Sequence, residues 1–388
     1  MIVLSLFIYF GLLWDLVLVT ANIVTMESLQ KEEIFKDDNK QLEHNYYEFE
    51  KVFIPFEKKF TKIEKENPNV YKLLKSFDYN NKDAAQILES TKTERDEILK
   101  ILSTKIISIP SPEFSDKESY TENVNQIVAI SKISRIKTFY KYELLDIKRN
   151  LYMGDKKVAV SRYITLWKSI DNLYKSENDS LINYMIKIAC SGILQEFYFD
   201  NQQMMDNNNI VDLSETLLSI DKNIDSSFQY SLKGEYVCMK ELLKAVGTQA
   251  KWPFFDYNKT VNTFYRDYKT TIDMCNKPYY ALDKSSENTV NVDENNSILS
   301  NLINPIGTQL FEVLSLSSPK SMMEQKEIFK SKIRAMYFVI NKGTNVEMPT
   351  DNLTGKKFII KDYKGYYEIS SQLKLDGKSA FTYKVIKK

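Results

Sequence analysis

The chain has 388 residues, with 53 Lys and Arg against 52 Asp and Glu, one His, three Cys and ten Gly. So few histidines and glycines argue against a histidine-based metal centre, a Ser-His-Asp triad and a glycine-rich nucleotide site. The near-zero net charge argues against a nucleic-acid partner, because nucleic-acid binders usually carry a basic excess.

The first segment of the chain is apolar and has no basic residue. Residues 1–30 contain no Lys or Arg, and their only acidic residues are Asp15 and Glu27. A helix of about 20 apolar residues can cross a hydrocarbon core, so this pattern predicts a transmembrane anchor over residues 1–26, with residues 2–25 in the membrane. Two alternatives stay open, namely a cleaved signal peptide and a buried helix.

The next segment, residues 27–105, is dense in Glu, Lys and aromatic residues. This composition predicts a charged helical stalk that leads away from the anchor. Pro55 and Pro68 divide the segment, because proline interrupts a helix. The single histidine, His44, lies beside tyrosines and is interpreted as structural. A stretch rich in Pro and Ser follows over residues 106–120 and predicts a surface connection.

Residues 120–348 are predicted to form the helical body, because their apolar residues recur at the helical period. The clearest set follows spacings of three and four: Ile133, Ile136, Tyr140, Leu144, Ile147 and Leu151. Gly154 and Asp155 then supply a helix stop and an N-cap, so the next helix is expected to be an antiparallel neighbour. A third helix, at about 179–199, is apolar on most sides and should lie deep in the bundle.

Further helical patterns occur near residues 232–246, 259–274 and 321–341, and polar loops are predicted at 200–209 and 284–297. No 34-residue repeat of the tetratricopeptide kind is present. An irregular bundle is therefore preferred over a solenoid.

The last forty residues, 349–388, change character. Three stretches are β-branched and aromatic: 356–361, 366–370 and 381–387. They predict a small antiparallel hairpin or sheet, which should pack on the helical body because an isolated hairpin is only marginally stable. The predicted fold class is thus mainly α, with an irregular multi-helix bundle after an N-terminal transmembrane helix and a small C-terminal antiparallel β hairpin or sheet.

The three cysteines, Cys190, Cys238 and Cys275, have no Cys-x-x-Cys spacing. This spacing argues against a zinc site and a thioredoxin-type motif. Cys238 and Cys275 lie in neighbouring helical segments and would be able to pair in an oxidising compartment. Three buried thiols is the other interpretation, and both stay open.

No set of residues stands out as a reaction centre. Glu235 and Glu241 are six residues apart on one predicted helix and do not share a face. The polar run at 293–297 lacks the spacing of an EF-hand calcium loop. A calcium ion at residues 351–354, held by Asp351, Asn352 and Thr354, competes with a simple turn made by Asn and Gly. No catalytic, cofactor-binding or metal-binding residue is therefore assigned, and no cofactor is expected.

Three other polar or turn-forming residues receive structural interpretations. Glu235 is interpreted as the buried acid of a polar network, Asn258 as an N-cap and Pro305 as an early helix residue.

Four stretches of the chain resemble a family of uncharacterised proteobacterial proteins. They are SLKGEYVCMKELL (231–243), FFDYNKTVNTFYRDYK (254–269), NLINPIGTQLFEVLS (301–315) and PTDNLTGKKFIIKDYKGYYEIS (349–370). Members of that family typically have an N-terminal membrane segment, a long helical region and a short ending with Asp-Pro before Thr-Gly. Here residues 351–355 read Asp-Asn-Leu-Thr-Gly, which matches that ending in part.

The resemblance implies a single-pass protein of the bacterial inner membrane whose bulk is periplasmic. Read by the positive-inside rule alone, the basic residues nearest the apolar segment would keep the bulk cytoplasmic; they are Lys31, Lys36 and Lys40. The resemblance decides the expected side of the membrane, and it assigns no catalytic residue.

The predicted function is that of a non-enzymatic, membrane-anchored envelope protein that offers a helical interaction or scaffold surface to a protein partner. One alternative is an envelope hydrolase that uses two carboxylates, because that chemistry requires neither His nor many Gly. Another alternative is a secreted factor of a host-associated bacterium, from which residues 1–25 are cleaved.

Overall fold

A computed structural model describes residues 40–79, 82–107, 134–176, 181–205, 211–250, 257–275, 277–282, 319–341, 346–375 and 377–387. These ranges contain ten α-helices followed by a small antiparallel β element. The mainly helical fold class with a C-terminal sheet is thereby confirmed for the described residues.

The helices are numbered in chain order. The first five are α1 (Lys40–Glu66), α2 (Val70–Ser76), α3 (Lys82–Ser90), α4 (Lys92–Thr104) and α5 (Ser134–Met153). The next five are α6 (Lys156–Tyr174), α7 (Leu181–Asn201), α8 (Val211–Ala250), α9 (Tyr257–Cys275) and α10 (Pro319–Ile340). A short 3-10 turn, Tyr279–Ala281, follows α9.

The helices α5 and α6 confirm the clearest periodic pattern of the sequence. They pack against each other across the two-residue link Gly154–Asp155. Gly154 has a φ of 92°, a left-handed conformation that glycine adopts at low cost and that ends a helix. Asp155 occupies the N-cap position of α6, but its side chain makes no capping hydrogen bond.

The helix α6 lies at the centre of the body, where it packs against α4, α5, α7 and α8. Trp167 on α6 is fully buried, and so are Leu166 and Ile170. The helix α7 also lies deep, as its apolar composition predicts, and packs on α5, α6 and α8. Burial of such side chains stabilises each by about 1.5–3 kcal/mol relative to the exposed state.

The segment predicted as a charged stalk packs onto this body. Four phenylalanines on α1 recur at helical spacing and are buried in the common core: Phe49, Phe53, Phe56 and Phe60. The ring of Phe56 meets Tyr142 of α5 edge to face, with 5.9 Å between centroids. Pro55 lies inside α1 without ending it. Residues 40–104 therefore belong to the same packed unit as the later helices, and the predicted domain boundaries stay predictions.

The predicted membrane anchor and the inner-membrane location require correction. Among the helices that the structure describes, none combines the length and the apolar composition that a membrane crossing needs. Even α7, the most apolar of them, carries Lys187 and Glu196. Residues 1–26, on which the anchor and the cleaved-signal interpretations rest, lie outside the described residues.

The C-terminal β element contains seven short strands, and three of them form its main sheet. The seven strands are β1 (Thr350–Asp351), β2 (Lys356–Lys357), β3 (Ile359–Tyr363), β4 (Tyr366–Ser370), β5 (Lys374–Leu375), β6 (Lys378–Ser379) and β7 (Thr382–Ile386). The main sheet is antiparallel with order β3-β4-β7, while β1 pairs with β2 and β5 with β6. The strands β4 and β7 lie within two of the predicted stretches, 366–370 and 381–387. The strand β3 overlaps the stretch 356–361 only from Ile359 onward and continues two residues beyond its end. Gly365, with a φ of 90°, supplies the left-handed residue of the two-residue turn between β3 and β4.

Candidate functional site: the C-terminal sheet and its joint with the helices

A single buried carboxylate, that of Asp351, organises the joint between the sheet element and α10. Asp351 is fully buried. It accepts hydrogen bonds from the side-chain hydroxyls of Ser331 (2.9 Å) and Ser371 (2.6 Å), and from the backbone N–H groups of Leu353 (3.1 Å) and Gln372 (3.2 Å). These donors come from α10, from the turn after β1 and from the chain after β4. The carboxylate therefore ties three segments together at one point.

The next residue, Asn352, extends the joint into the helices. Its side-chain oxygen accepts a hydrogen bond from Arg334, and its amide nitrogen donates to Glu327 at 3.0 Å. Arg334 also donates from Nε to both carboxylate oxygens of Asp221 on α8, at 2.9 and 3.1 Å. The turn after β1 is thus connected through α10 to the long helix α8.

A second group of charges lies along the α8–α10 interface. The Lys326 ammonium, only 1% exposed, lies 2.8 Å from an Asp225 oxygen and 2.7 Å from a Glu327 oxygen. Lys330 also contacts Asp225. Burial raises the pKa of Asp225, but the charges and hydrogen bonds of both lysines outweigh it and lower that pKa. Burial lowers the pKa of Lys326, and its two carboxylate partners outweigh that effect and raise it. Both groups are held in their charged forms.

One edge of the main sheet is closed by a glutamine from the helical body. The side chain of Gln202, which follows α7, donates to the carbonyl of Lys384 at 2.8 Å and accepts from the N–H of Ile386 at 3.2 Å. Its amide therefore pairs with β7 as a peptide group of a neighbouring strand would. Beside it, the ring of Tyr383 stacks on Phe199 with 3.9 Å between centroids.

The two faces of the main sheet differ. The inner face packs on the helices and buries Tyr367, Ile369 and Val385. Residues that pair across the strands share a face, so the outer face consists of three rows. These rows are Ile359, Ser370 and Thr382; Lys361, Glu368 and Lys384; and Tyr363, Tyr366 and Ile386.

Stacked tyrosines and lysines dominate the outer face. The rings of Tyr363 and Tyr366 stack with 4.7 Å between centroids. The ammonium of Lys384 lies over the Tyr366 ring at 4.1 Å, and Tyr363 stays 40% exposed. A stack of this kind holds its members rigid, because each ring contacts a neighbour.

Residues 349–388 carry nine lysines against four acidic residues, a formal charge of +5. One of those acidic residues, Asp351, is buried in the joint. Lys387 contacts Asp362 at the turn. Six exposed lysines have no carboxylate partner among the described residues: Lys356, Lys361, Lys364, Lys374, Lys378 and Lys384. The rest of the chain is slightly acidic, so the element is a basic surface on a weakly acidic body.

The helical body has its own buried ionic cluster, centred on Arg95 of α4. The Arg95 guanidinium is 1% exposed and contacts Glu143 at 2.6 Å and Asp146 at 3.3 Å. It also donates to the hydroxyl of Thr91 and to the Leu88 carbonyl.

Glu143 is fully buried, and its carboxylate also accepts from Arg162 of α6, which in turn contacts Asp96 at 2.7 Å. Burial lowers the pKa of Arg162, and the hydrogen bonds and charges of Glu143 and Asp96 outweigh it and raise that pKa. The Arg95 cluster therefore joins α4, α5 and α6 by opposite charges.

Two carboxyl groups with raised pKa values lie on α8 and α9. Glu235 accepts a hydrogen bond from the backbone N–H of Leu181, the first residue of α7, at 3.2 Å. Burial raises its pKa, and this hydrogen bond opposes the rise only in part. Asp267 is 3% exposed, one of its oxygens has no hydrogen-bond partner, and burial raises its pKa. The charges of both groups also raise the pKa of Tyr268, after burial itself.

The structure places most of the residues singled out from the sequence. Glu235 is partly buried and accepts one hydrogen bond, from the N–H of Leu181 at the start of α7, so the predicted buried acid of a polar network is found only in part. Glu241 is exposed on the same helix. Asn258 lies inside α9, which begins one residue earlier at Tyr257. Residues 293–297, Pro305 and the side chain of His44 lie outside the described residues.

At residues 351–355 the structure shows a hydrogen-bonded turn, which accounts for Asp351, Asn352 and Thr354 without a calcium ion. The carbonyl of Asp351 accepts from the N–H groups of Thr354 and Gly355, and its two carboxylate oxygens already accept hydrogen bonds from serine hydroxyls and backbone N–H groups. Gly355 has a φ of 69°, and a Cβ there would lie 3.0 Å from the Tyr280 ring. Asn352 and Thr354 thus serve the turn.

All three cysteines are buried free thiols. Burial raises the pKa of Cys238 and of Cys275 to about 12 in each case. The interpretation as three buried thiols is therefore the one that the structure bears out, and a raised pKa keeps a thiol protonated at neutral pH.

Sequence reasoning missed Gln202, Arg95 and the basic outer face. The excess of lysine in residues 349–388 and the alternation Ile359-Lys361-Tyr363 are both visible in the sequence and would have pointed to that face. Gln202 and Arg95 carry no comparable signal, because their partners are remote along the chain. Comparisons with protein-family models, curated proteins and solved structures found no match to this chain.

Proposed function

We propose that the protein is a non-catalytic interaction protein in which the helical body is a scaffold that presents the C-terminal sheet to a protein partner. The observation that carries this proposal is the Asp351 joint. Five hydrogen bonds from three segments hold one buried carboxylate and fix the sheet on α10. Such a joint suits a function in which the orientation of a surface matters.

The distribution of charge supports the same function. Two buried charged groups of the helical body, Arg95 and Lys326, contact carboxylates of the same body. The outer face of the sheet is different, since Lys361 has no carboxylate partner among the described residues and Tyr363 is exposed. Exposed aromatic rings such as that of Tyr363 are enriched at recognition sites.

Photo-crosslinking in intact cells tests the proposal. A photoreactive amino acid would replace Tyr363 in the full chain, and a matched variant would carry it at Leu218, which is 49% exposed on α8. We expect a discrete adduct with another protein from position 363 and a clearly weaker one from position 218. Absence of adducts from both positions, in a chain that expresses and folds, would remove the proposal.

A carboxylate-based hydrolase is the second candidate function, and one observation favours it. Glu235 and Asp267 both have raised pKa values, which general acids require, and both influence Tyr268. Against it, Glu235 is already engaged by the N–H of Leu181. Hydrolysis of a soluble glycan panel by the wild type, lost in Asp267→Asn and kept in Glu241→Gln, would establish this candidate in place of the first.

A further inference from the structure

Exposed apolar side chains gather where α5 ends and α6 begins. Residues 148–158, which contain the last turn of α5, the link and the first turn of α6, are named the α5–α6 tip. Within it Tyr152, Met153 and Val158 are each at least 50% exposed. The ring of Tyr152 also stacks on Tyr79, with 4.1 Å between centroids. A single exposed apolar residue needs no explanation, but a group of them is typical of an interaction site.

Basic residues flank these apolar side chains along the chain. The α5–α6 tip contains four basic residues and one acidic residue, Asp155, so its formal charge is +3. None of the four basic side chains has a carboxylate partner among the described residues; they are Lys148, Arg149, Lys156 and Lys157. The tip therefore carries positive charge that the described part of the chain does not neutralise.

Two of these charges lie where a helix does not favour them. Lys156 and Lys157 begin α6, and the dipole of a helix is positive at its N-terminus. Acidic residues are favoured at this position, but the first turn of α6 has none, and Asp155 at the N-cap makes no capping hydrogen bond. The two lysines therefore do not stabilise α6, and their position agrees with a role in binding negative groups.

The α5–α6 tip and the C-terminal sheet lie at the same end of the helical body. The ammonium of Lys148 lies over the ring of Phe77 at 6.0 Å, and this ring meets Phe197 of α7 edge to face, with 5.7 Å between centroids. Two residues later on α7, Phe199 stacks on Tyr383 of the sheet. The charge of +3 on the tip and the charge of +5 on residues 349–388 therefore belong to one end of the molecule.

We propose that the α5–α6 tip is a second contact site for the protein partner of the sheet, and that it binds an acidic segment of that partner whose apolar side chains pack on Tyr152, Met153 and Val158. This inference rests on the proposed function and names the chemistry of the partner. Carboxylates of the segment complement the unpaired basic residues and give specificity and a fast approach. Its apolar side chains remove those of the tip from water, which supplies affinity.

The composition of the tip favours a protein segment over a nucleic acid or a lipid surface. Phosphate groups would neutralise the lysines, but they offer no apolar contact to Met153 and Val158. A lipid surface would receive those apolar side chains, but it would also desolvate the exposed carboxylate of Asp155, which lies between them along the chain. A protein segment is able to offer carboxylates, apolar groups and a hydrogen-bond donor for Asp155 together.

Photo-crosslinking from the tip tests the inference in intact cells. A photoreactive amino acid replaces Val158 in the full chain, and mass spectrometry identifies the peptide to which it becomes joined. We expect the same partner protein as from position 363, joined through a segment that contains apolar residues and more Asp and Glu than Lys and Arg. A matched variant carries the photoreactive residue at the exposed Met185 on the first turns of α7, and it should give a clearly weaker adduct.

A labelled synthetic peptide of the captured segment then measures the role of charge and of apolar contact by fluorescence anisotropy with the full chain. Lys157→Glu should weaken binding about tenfold, whereas Lys168→Glu, about 16 Å farther along the same helix, should change it less than about twofold. Met153→Asp should also weaken binding about tenfold, and the matched Met185→Asp less than about twofold. Acidic residues suit the first turn of α6, so Lys157→Glu should be at least as stable as the wild type, which thermal unfolding checks.

Three results would overturn the inference. One is an adduct at position 158 with a neutral or basic segment, or with a protein other than the one captured from position 363. Another is equal binding by Lys157→Glu and Lys168→Glu, or by Met153→Asp and Met185→Asp. The third is an adduct with nucleic acid, with lipid or with a second copy of this chain, which would assign the tip to that ligand. If position 158 gives no adduct while crosslinks from position 363 persist, only this inference falls; loss of both removes the proposed function as well.

Discussion

The Arg95 cluster and the Asp351 joint are both buried and ionic, yet they are built on opposite plans. Arg95 is surrounded by charges, since Glu143 and Asp146 contact it and Glu143 also contacts Arg162. Asp351 is surrounded by neutral donors, namely two serine hydroxyls, the Thr354 hydroxyl and two backbone N–H groups.

The difference indicates what each site does. In the Arg95 cluster, contacts between opposite charges hold the helices α4, α5 and α6 together. Removal of one charged partner leaves an uncompensated charge in the interior. At Asp351, by contrast, neutral donors from nearby segments hydrogen-bond to one carboxylate and thereby fix the local conformation of the chain. The first plan should therefore control global stability, and the second should control the order of the sheet.

The largest effect is expected from Glu143→Gln. It would leave the buried Arg95 and the partly buried Arg162 without their common carboxylate and should lower the free energy of unfolding by about 3–5 kcal/mol. Urea unfolding followed by circular dichroism measures this. Asp96→Asn is the matched control, since Asp96 contacts the same Arg162 but is 45% exposed, and its loss should cost less than about 1 kcal/mol. Equal effects would contradict the comparison.

A smaller and more local effect is expected from Asp351→Asn. The amide cannot accept from all the donors that the carboxylate gathers, so the free energy of unfolding should fall by about 2–3 kcal/mol. Hydrogen exchange should speed up in β4 and β7 while α5 and α6 keep their protection. The exposed Asp362 offers the control Asp362→Asn, which should leave exchange in the sheet near wild type. Uniform loss of protection across the molecule would show that the joint is no different from the Arg95 cluster.

A weaker effect still is expected at the closed edge of the sheet. Gln202→Ala removes both side-chain bonds to β7 and should destabilise the protein by about 1 kcal/mol, with faster exchange of the Ile386 amide. The neighbouring residue Gln203 is exposed, so Gln203→Ala is the control. Slow exchange of Ile386 in Gln202→Ala would mean that something other than this side chain closes the edge.

The smallest effect, and one of opposite sign, is expected from Asp267→Asn. Burial raises the pKa of Asp267, so the wild type loses stability as pH rises through that pKa. The amide does not ionise, so the variant should be more stable than the wild type at pH 7. Thermal unfolding at pH 7 and at acid pH tests this, because the gain should vanish where the wild-type carboxyl is protonated. A gain that is independent of pH would have another cause.

The sequence predicted those parts of the fold that depend on local pattern. The α5–α6 pair follows from apolar spacing and from Gly154, and the three strands of the main sheet follow from β-branched and aromatic residues. The burial of α1 was also visible in the spacing of its phenylalanines, yet its high charge suggested a stalk. Periodicity identifies the apolar face of a helix, but it does not identify what that face packs against.

The candidate site depended on long-range pairing, which no local pattern encodes. Arg95 meets Glu143 48 residues away, and Gln202 meets Lys384 182 residues away. The turn at Asp351 was predicted as a turn, but the serines that surround its carboxylate are 20 residues away on either side. Individual polar side chains therefore gain their role only from the tertiary structure.

The position of Gln202 along the chain has a consequence for folding during synthesis. The ribosome completes α7 and Gln202 long before it completes β7, which lies about 180 residues later. The helical body can thus form while the C-terminal element is still being made, and domains made first generally fold first. When β7 is made, it can pair with the side-chain amide of Gln202 on the helical body, which is already folded. In a chain whose synthesis stops before β7, the Gln202 amide and the Phe199 ring would lack their contacts with β7. Their exposure to solvent would distinguish the incomplete chain from the complete one.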